Sequence, residues 1–464
     1  TPSHIKEGRF GKWLENSKDW AISRDRFWGT PLPFWRCDKS GFIECIGSVE
    51  ELEKKSGRKI DDLHSHFIDD VTYPSSADPA GTMRRVPQVL DCWFESGAMP
   101  FAQSHYPFEG RDEFEDSFPA DFIAEGLDQT RGWFYTLLVV STHLFGKASF
   151  KNVIVNGIVL AEDGKKMSKS LKNYPDPTKV MEEIGADAMR VYLLSSPATR
   201  ADDLRFSEDG VKQVVRQALL PLWNAYNFFV TYAVIDNWSL DSKSSLGELS
   251  SENLLDRWIL SKYKTLATKV DTALSTYQLY LAAPAALEFI DQLTNWYIRL
   301  NRRRFWSDNT SENLVDKQKA YNTLYEVLVG FVRILSPLAP FITEEIYQNL
   351  YAAIKDANIN NGDLNEHSVH LSNFPSAKEL ERIKRDEELE SAMDLFQQII
   401  ILGRSLRNEK KIAVRQPLAT MTVLHPNQSS LDALSVLDLY LKEELNIKNI
   451  DYSTNEDKYV TLSA

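Results

Sequence analysis

The sequence predicts an α/β domain, then an all-α bundle, then a small α+β tail. Three patterns carry that prediction. Short apolar runs alternate with helical stretches up to about residue 200, and helical periodicity alone runs from about 208 to 400. A strand-like pattern returns beyond Gln416-Pro417. At ~100–200 residues per domain, 464 residues suggest about three domains. The boundaries are expected at 1–207, 208–402 and 403–464.

In the first part, Asp121–Glu125 and Asn152–Asn156 are strand-like, and each is followed by helical periodicity, as in a parallel sheet. In the second, Val211–Val234, Asn253–Ser275, Ala282–Arg304, Asp316–Leu335 and Ile342–Ile354 carry apolar residues at i, i+3, i+4 spacing. Pro221, Pro284, Pro337 and Pro340 fall near helix ends or early turns, where proline is tolerated. The polar stretches 237–251 and 355–366 read as surface connections. The tail offers a strand at Met421–Leu424, a helix at Leu431–Leu445 and an extended run at Ile447–Tyr452.

Composition narrows the function classes. With 43% hydrophobic and 11% aromatic residues, the chain can build a sizeable core, which argues against wholesale disorder. Lys and Arg number 53 against 66 Asp and Glu, a net charge of −13. A protein that coats nucleic acid is usually basic, so any such contact here must rest on local patches. No apolar run approaches the ~18 residues of a membrane span, and no membrane partner is expected. Cys37, Cys45 and Cys92 form neither a disulfide framework nor a Cys-x-x-Cys pair, so a reducing compartment and no structural zinc are expected. The start, Thr1-Pro-Ser-His4, is neither an initiator Met nor a signal peptide, and suggests a processed chain or a piece of a longer one.

Four segments carry chemistry. Glu162-Asp-Gly-Lys-Lys-Met-Ser-Lys-Ser170 follows a strand and precedes a helix. A Lys-rich turn is most often a solvated loop, but Lys166 and Lys169 flank Met167-Ser168, and two ammonium groups so spaced suit a polyphosphate. Asp121-Phe-Ile-Ala-Glu-Gly-Leu-Asp-Gln-Thr-Arg-Gly-Trp-Phe-Tyr135 puts Glu125, Asp128 and Gln129 just beyond a strand's carboxyl end. That is where open α/β sheets bind ligands, and these groups suit an α-amino group and a ribose. The plainer alternative is Asp128 as N-cap of a helix running to about Leu144. Val89-Leu-Asp-Cys-Trp-Phe-Glu-Ser-Gly97 offers Trp93 to a pocket or to the core. The aromatic and proline-rich stretch Asp19–Trp35, with Arg24 and Arg26, is too ordered in composition for a linker, and its chemistry is not derivable from sequence.

Two basic clusters follow. Asn295–Trp306 holds Arg299, Arg302, Arg303 and Arg304 without an acid. Gly403–Gln416 holds Arg404, Arg407, Lys410, Lys411 and Arg415 against Glu409 alone. Such runs are usually solvated helix faces, yet guanidinium groups among Trp and Tyr also suit phosphates and bases.

In this order the segments resemble the class I aminoacyl-tRNA synthetases, over essentially the whole chain. Lys166-Met-Ser-Lys-Ser170 is the family's second signature, and Glu125-Gly-Leu-Asp-Gln-Thr-Arg-Gly-Trp-Phe134 looks like the isoleucine-specific branch. Gly97–Gln103 and Lys172–Pro177 are most similar to its cytosolic eukaryotic type.

The resemblance implies the following. Residues 1–207 are the second half of a Rossmann-type catalytic domain, with an insertion remnant at 1–90; 208–402 form an anticodon-binding bundle. Glu125, Gly126, Asp128 and Gln129 hold the isoleucyl-adenylate, while Trp93 and Trp133 shape the side-chain pocket. Lys166, Met167, Ser168 and Lys169 close on ATP and its Mg²⁺, with Lys166 and Lys169 catalytic. The arginines and lysines of the two basic clusters contact tRNA(Ile). Localisation is cytoplasmic by likeness. One signature is missing, since none of the eight histidines stands in His-x-Gly-His. The expectation is therefore a C-terminal part, without most of the editing domain and inactive alone. A valine, leucine or methionine sibling, or a non-catalytic tRNA-binding derivative, are the alternatives.

Overall fold

The computed structural model describes residues 1–240, 252–308, 310–356 and 364–455. These form two compact units, one of residues 1–158 with 200–203 and one of 159–199 with the remainder from 204. The boundaries expected at 207/208 and 402/403 both fall inside the second unit.

In the first unit, strand Ala120–Gly126 pairs in parallel with Phe150–Asn156, and helix Trp133–Phe145 makes the crossover. Parallel neighbours require such a connection. Phe134, Val155, Ile5 and Ala201 pack beneath this βαβ unit. Helix Cys92–Ala102 lies so close to the crossover helix that a Cβ on Gly97 would sit 2.8 Å from the Thr136 carbonyl oxygen. Residues 34–85 build a four-stranded antiparallel sheet, in the order Ile43–Cys45, Phe34–Cys37, Thr82–Arg85, Thr72–Pro74. It wraps a core of Trp35, Tyr73, Met83 and Leu52. Ser23–Arg24 pairs antiparallel with Val89–Leu90, tying the aromatic stretch 19–35 to the chain just ahead of Trp93.

In the second unit, Val159–Leu160 pairs in parallel with Leu204–Arg205. Helices Pro177–Ile184 and Ala186–Leu194 pack beside this pair around Val180, Ala188, Phe206 and Val211. The helices expected downstream are present with interruptions. Residues 208–235 are helical throughout, but Val215–Leu219 is a π-turn. It lies just before Pro221, which has no N–H to give to Gln217 and whose ring crowds that carbonyl. A second π-turn, Gln292–Ile298, separates Leu279–Asp291 from Arg299–Phe305. Helices Leu254–Ser275, Ser311–Leu335, Pro340–Asp356 and Glu387–Glu409 complete the bundle, which buries Trp258, Tyr297, Tyr325, Phe331 and Phe396.

The run Glu208–Ile235 is long and apolar enough to cross a membrane by length and composition, a feature not expected from the sequence. Its buried Val214, Leu222, Ala225 and Phe229 belong to the bundle core, as in a core helix of a globular domain. The tail pairs Leu418–Leu424 in parallel with Ile447–Ser453. The single helix expected over Leu431–Leu445 is two, Gln428–Ser435 and Asp438–Leu445, broken at Val436-Leu437. Their Leu431, Leu434, Leu441 and Leu445 join the bundle core. Of the expected connections, 241–251 and 357–363 lie outside the described residues.

Candidate functional site

In the first unit the groups predicted to hold an adenylate cluster at the carboxyl end of strand Ala120–Gly126. Glu125 and Asp128 are exposed there, on either side of Gly126. A Cβ on Gly126 would stand 2.8 Å from Asp128 Oδ1, so glycine allows the carboxylate to lie against the backbone. The structure corrects the capping role. Leu127–Arg131 is a 3₁₀ turn, and the helix begins only at Trp133. Its first N–H is accepted by Gln129 Oε1 at 3.1 Å, while Gln129 Nε2 donates to Asp128 Oδ2 at 2.9 Å. Gln129 does the capping, because its longer side chain reaches past Gly132 to the true helix start. Asp128 is left to orient Gln129 and face outward.

Gly132 also lets an indole approach. A Cβ there would lie 2.8 Å from Gln129 Oε1 and 3.2 Å from the Trp93 ring. Trp93, at 39% exposure, therefore presents its ring to solvent beside Gln129. Trp133 is half-buried against the Phe134–Val155 cluster, and its Nε1 donates to the Ser96 carbonyl at 3.1 Å.

Sequence reasoning missed what fixes Trp93. Asp91 caps its helix, accepting from the Trp93 N–H at 3.3 Å, and also accepts from Trp20 Nε1 at 3.0 Å and Arg24 at 2.6 Å. Burial pushes the Asp91 carboxyl upward, but these hydrogen bonds and the Arg24 charge outweigh it and hold it below the usual range. The aromatic stretch 19–35 thus bears on the start of the Trp93 helix through Asp91. An Asp just before the first helical residue was the available signal.

In the second unit the lysine loop leaves strand Val159–Leu160. A tight turn closes with Gly164 N–H on the Ala161 carbonyl at 2.8 Å, Gly164 taking φ +80°. An isolated antiparallel bridge then joins Leu160 to Lys166. Met167 packs against the Val180–Phe206–Val211 cluster, so the exposed Lys166 and Lys169 flank an anchored residue in the sequence. Lys165 pairs with Asp163 at 3.2 Å. Lys166 and Lys169 are exposed, and their ammonium groups have no carboxylate partner among the described residues. Two unneutralised cations on one short loop suit a polyphosphate.

The basic clusters divide. Arg304 is bidentate to the buried Asp256 at 2.8 and 2.9 Å and also bonds Asp316 at 2.7 and 2.8 Å. Burial lowers its pKa, but these carboxylates raise it further still, so the charge is locked in place. Arg407, 4% exposed, donates to the carbonyls of Ala413, Gln416, Leu445 and Asn446. These two groups serve the fold, which corrects the expectation that they face a phosphate. Arg299 and Arg404 share Glu444, at 2.7 and 2.5 Å, and Arg303 meets Glu443 at 2.7 Å. Lys410 lies 3.1 Å from Glu409. Arg302, Lys411 and Arg415 are exposed with no ion pair among the described residues. Among the described residues no three His, Cys, Asp or Glu side chains are grouped to hold a metal ion, and the three cysteines are unpaired.

Residues 1–206 match the family model for class I tRNA synthetases (I, L, M and V), and 256–422 match the anticodon-binding domain of tRNA ligase. The chain is 51% identical to an isoleucine–tRNA ligase of Protochlamydia amoebophila over 464 residues, all of this chain and 42% of that protein. It is 48% identical over 474 residues to that of Treponema denticola, covering all of this chain and 41% of that one. The chain thus spans about two fifths of the length of these bacterial relatives. In fold it is similar to the Agrobacterium radiobacter K84 LeuRS–tRNA–LeuAMS complex, at TM-score 0.54 and 19% identity over 82% of this chain and 47% of that one. It is also similar to Mycobacterium tuberculosis methionyl-tRNA synthetase in complex with methionyl-adenylate, at TM-score 0.53 and 17% identity over 76% and 60%.

Proposed function

We propose that the chain is part of a class I tRNA synthetase of the I, L, M and V group and that it serves isoleucine–tRNA ligation. The isoleucine carboxylate attacks the α-phosphate of MgATP, and pyrophosphate leaves. The terminal ribose hydroxyl of tRNA(Ile) then attacks the adenylate carbonyl, and AMP leaves. No protein nucleophile is required; alignment and charge stabilisation supply the acceleration. Lys166 and Lys169 neutralise the phosphates as charge builds on the departing pyrophosphate. Glu125, Asp128 and Gln129 hold the amino group and ribose, and Trp93 bounds the aliphatic side chain.

The observation that carries this reading is the unequal treatment of neighbouring lysines. Asp163 neutralises Lys165, while Lys166 and Lys169 are left exposed on either side of an anchored methionine. Isoleucine-specific relatives near 50% identity support the choice of amino acid. The remaining tRNA contacts fall to Arg302, Lys411 and Arg415, with Arg299, Arg303, Arg404 and Lys410 released from their carboxylates on binding. Cytoplasmic placement and the eukaryotic subtype rest on the sequence resemblance alone.

The test is single-turnover adenylate formation in the protein as its gene encodes it. Lys169→Ala slows that step by about a hundredfold or more, in the range found when a charge-stabilising group is removed. Lys165→Ala leaves it near wild type. Equal rates in the two variants would remove the loop from the chemistry.

A further inference from the structure

The lysine loop is held by a side chain outside its signature. Asn173 Oδ1 accepts the Ser168 N–H at 2.9 Å, and Asn173 Nδ2 donates to the Lys166 carbonyl at 3.2 Å. One amide thus brackets Met167, gripping the main chain on both sides of the residue that anchors the loop. The turn beyond it is closed too, with Lys172 N–H on the Ser168 carbonyl at 3.0 Å and the Ser168 and Ser170 hydroxyls 2.8 Å apart. Lys172 takes φ +48°, a left-handed conformation that costs a non-glycine residue energy and turns the chain so that Asn173 can face back.

We propose that Asn173 is a positioning residue for nucleotide activation: its amide fixes the main chain at Lys166 and Ser168, and so the directions in which both lysines present their ammonium groups to a triphosphate. This rests on the functional reading above and deepens it. The logic is steric and local. Lysine side chains are long and flexible, so their reach is defined only as well as the backbone beneath them. The bridge to Leu160 and the seat of Met167 fix the strand side of the loop. Beyond Met167, the Ser168 N–H has Asn173 as its partner. Without that amide, Lys169 would ride on a turn free to pivot about Met167.

Asn173 lines an open cleft of about 460 Å³ with Met167, Tyr174 and Phe206. Truncation there therefore leaves no closed void, and Asn173→Ala is expected to fold. An asparagine that merely ended the turn would affect stability; one that aims the lysines affects turnover. The experiment is isoleucine-dependent ATP–pyrophosphate exchange in the protein as its gene encodes it, comparing wild type, Asn173→Ala and Asn173→Gln, with kcat and both KM values resolved. Asn173→Ala should lower kcat by between about tenfold and a hundredfold, the scale of a misplacement near 1 Å. The KM for isoleucine and the melting temperature should be unchanged. Asn173→Gln, with the same groups one methylene further out, should not rescue. In parallel, hydrogen exchange of the Ser168 amide should be slow in wild type and fast in Asn173→Ala.

Wild-type kcat in Asn173→Ala, or rescue by Asn173→Gln, overturns the positioning role while the functional reading stands. A Ser168 amide equally fast in wild type and variant also overturns it, whatever the activity. A wild-type protein without isoleucine-dependent exchange overturns both, and so separates the two failures.

Discussion

Arg302 and Arg304 stand two positions apart in one run of arginines and have opposite fates. Arg304 turns inward to Asp256 and Asp316, whereas Arg302 faces solvent. Removing one partner of a buried pair strands the other charge, at a cost of about 3–5 kcal/mol. Arg304→Ala is therefore expected to lower the melting temperature sharply. Arg302→Ala should leave it unchanged and reduce the salt dependence of tRNA binding by ~0.7–0.9 in log–log slope for each phosphate that Arg302 neutralises. Calorimetry and a salt titration of tRNA affinity check the pair. Sequence showed the cluster but not this division, because Asp256 lies 48 residues upstream.

Asp91 has a similar history. Its role is set by Trp20 and Arg24, some seventy residues earlier. Asp91→Ala strips a cap and leaves the part-buried Trp20 and Arg24 donors without their carboxylate, at about 1–3 kcal/mol near neutral pH. The folded-state pKa is depressed, so the charge-dependent part of this stabilisation is complete above the unfolded value of ~3.9. It is lost as pH falls through the folded value. The gap in melting temperature between wild type and variant should narrow on acidification from pH 7 into that range.

Among the elements, those set by periodicity were the legible ones. The bundle helices and the two strands of the βαβ unit appear close to where apolar spacing puts them. Their interruptions were not legible. The π-turn before Pro221 and the break at Val436-Leu437 answer to backbone hydrogen bonding and packing, which apolar spacing does not encode. Sequence alone offers Asp128 as the cap of helix Trp133–Phe145, but the 3₁₀ turn ahead of that helix moves its start beyond the carboxylate's reach. Gly97 looks like part of a motif and proves to be the contact between two helices. Gly97→Ala should cost about 1–3 kcal/mol by overpacking, seen as a lower melting temperature, because the obstructing atom is a backbone carbonyl.

For the whole molecule, the net charge of −13 describes the average and hides the arrangement. Acidic residues neutralise many of the basic ones locally: Asp163 takes Lys165, Glu444 takes Arg299 and Arg404, and Asp256 takes Arg304. What remains exposed and unpaired among the described residues includes Lys166 and Lys169 on the loop and Arg302, Lys411 and Arg415 in the basic clusters. Under the proposed function, an acidic body with uncompensated cations at the loop and in the basic clusters suits binding of one nucleotide and one RNA, followed by release of both. The measurement that bears most directly on this account is amino-acid-dependent ATP–pyrophosphate exchange by the protein as its gene encodes it. Exchange is expected to be driven by isoleucine at far lower concentration than by valine or leucine, and to be lost in Lys169→Ala. Exchange driven best by valine or leucine, or none with any amino acid, would contradict it.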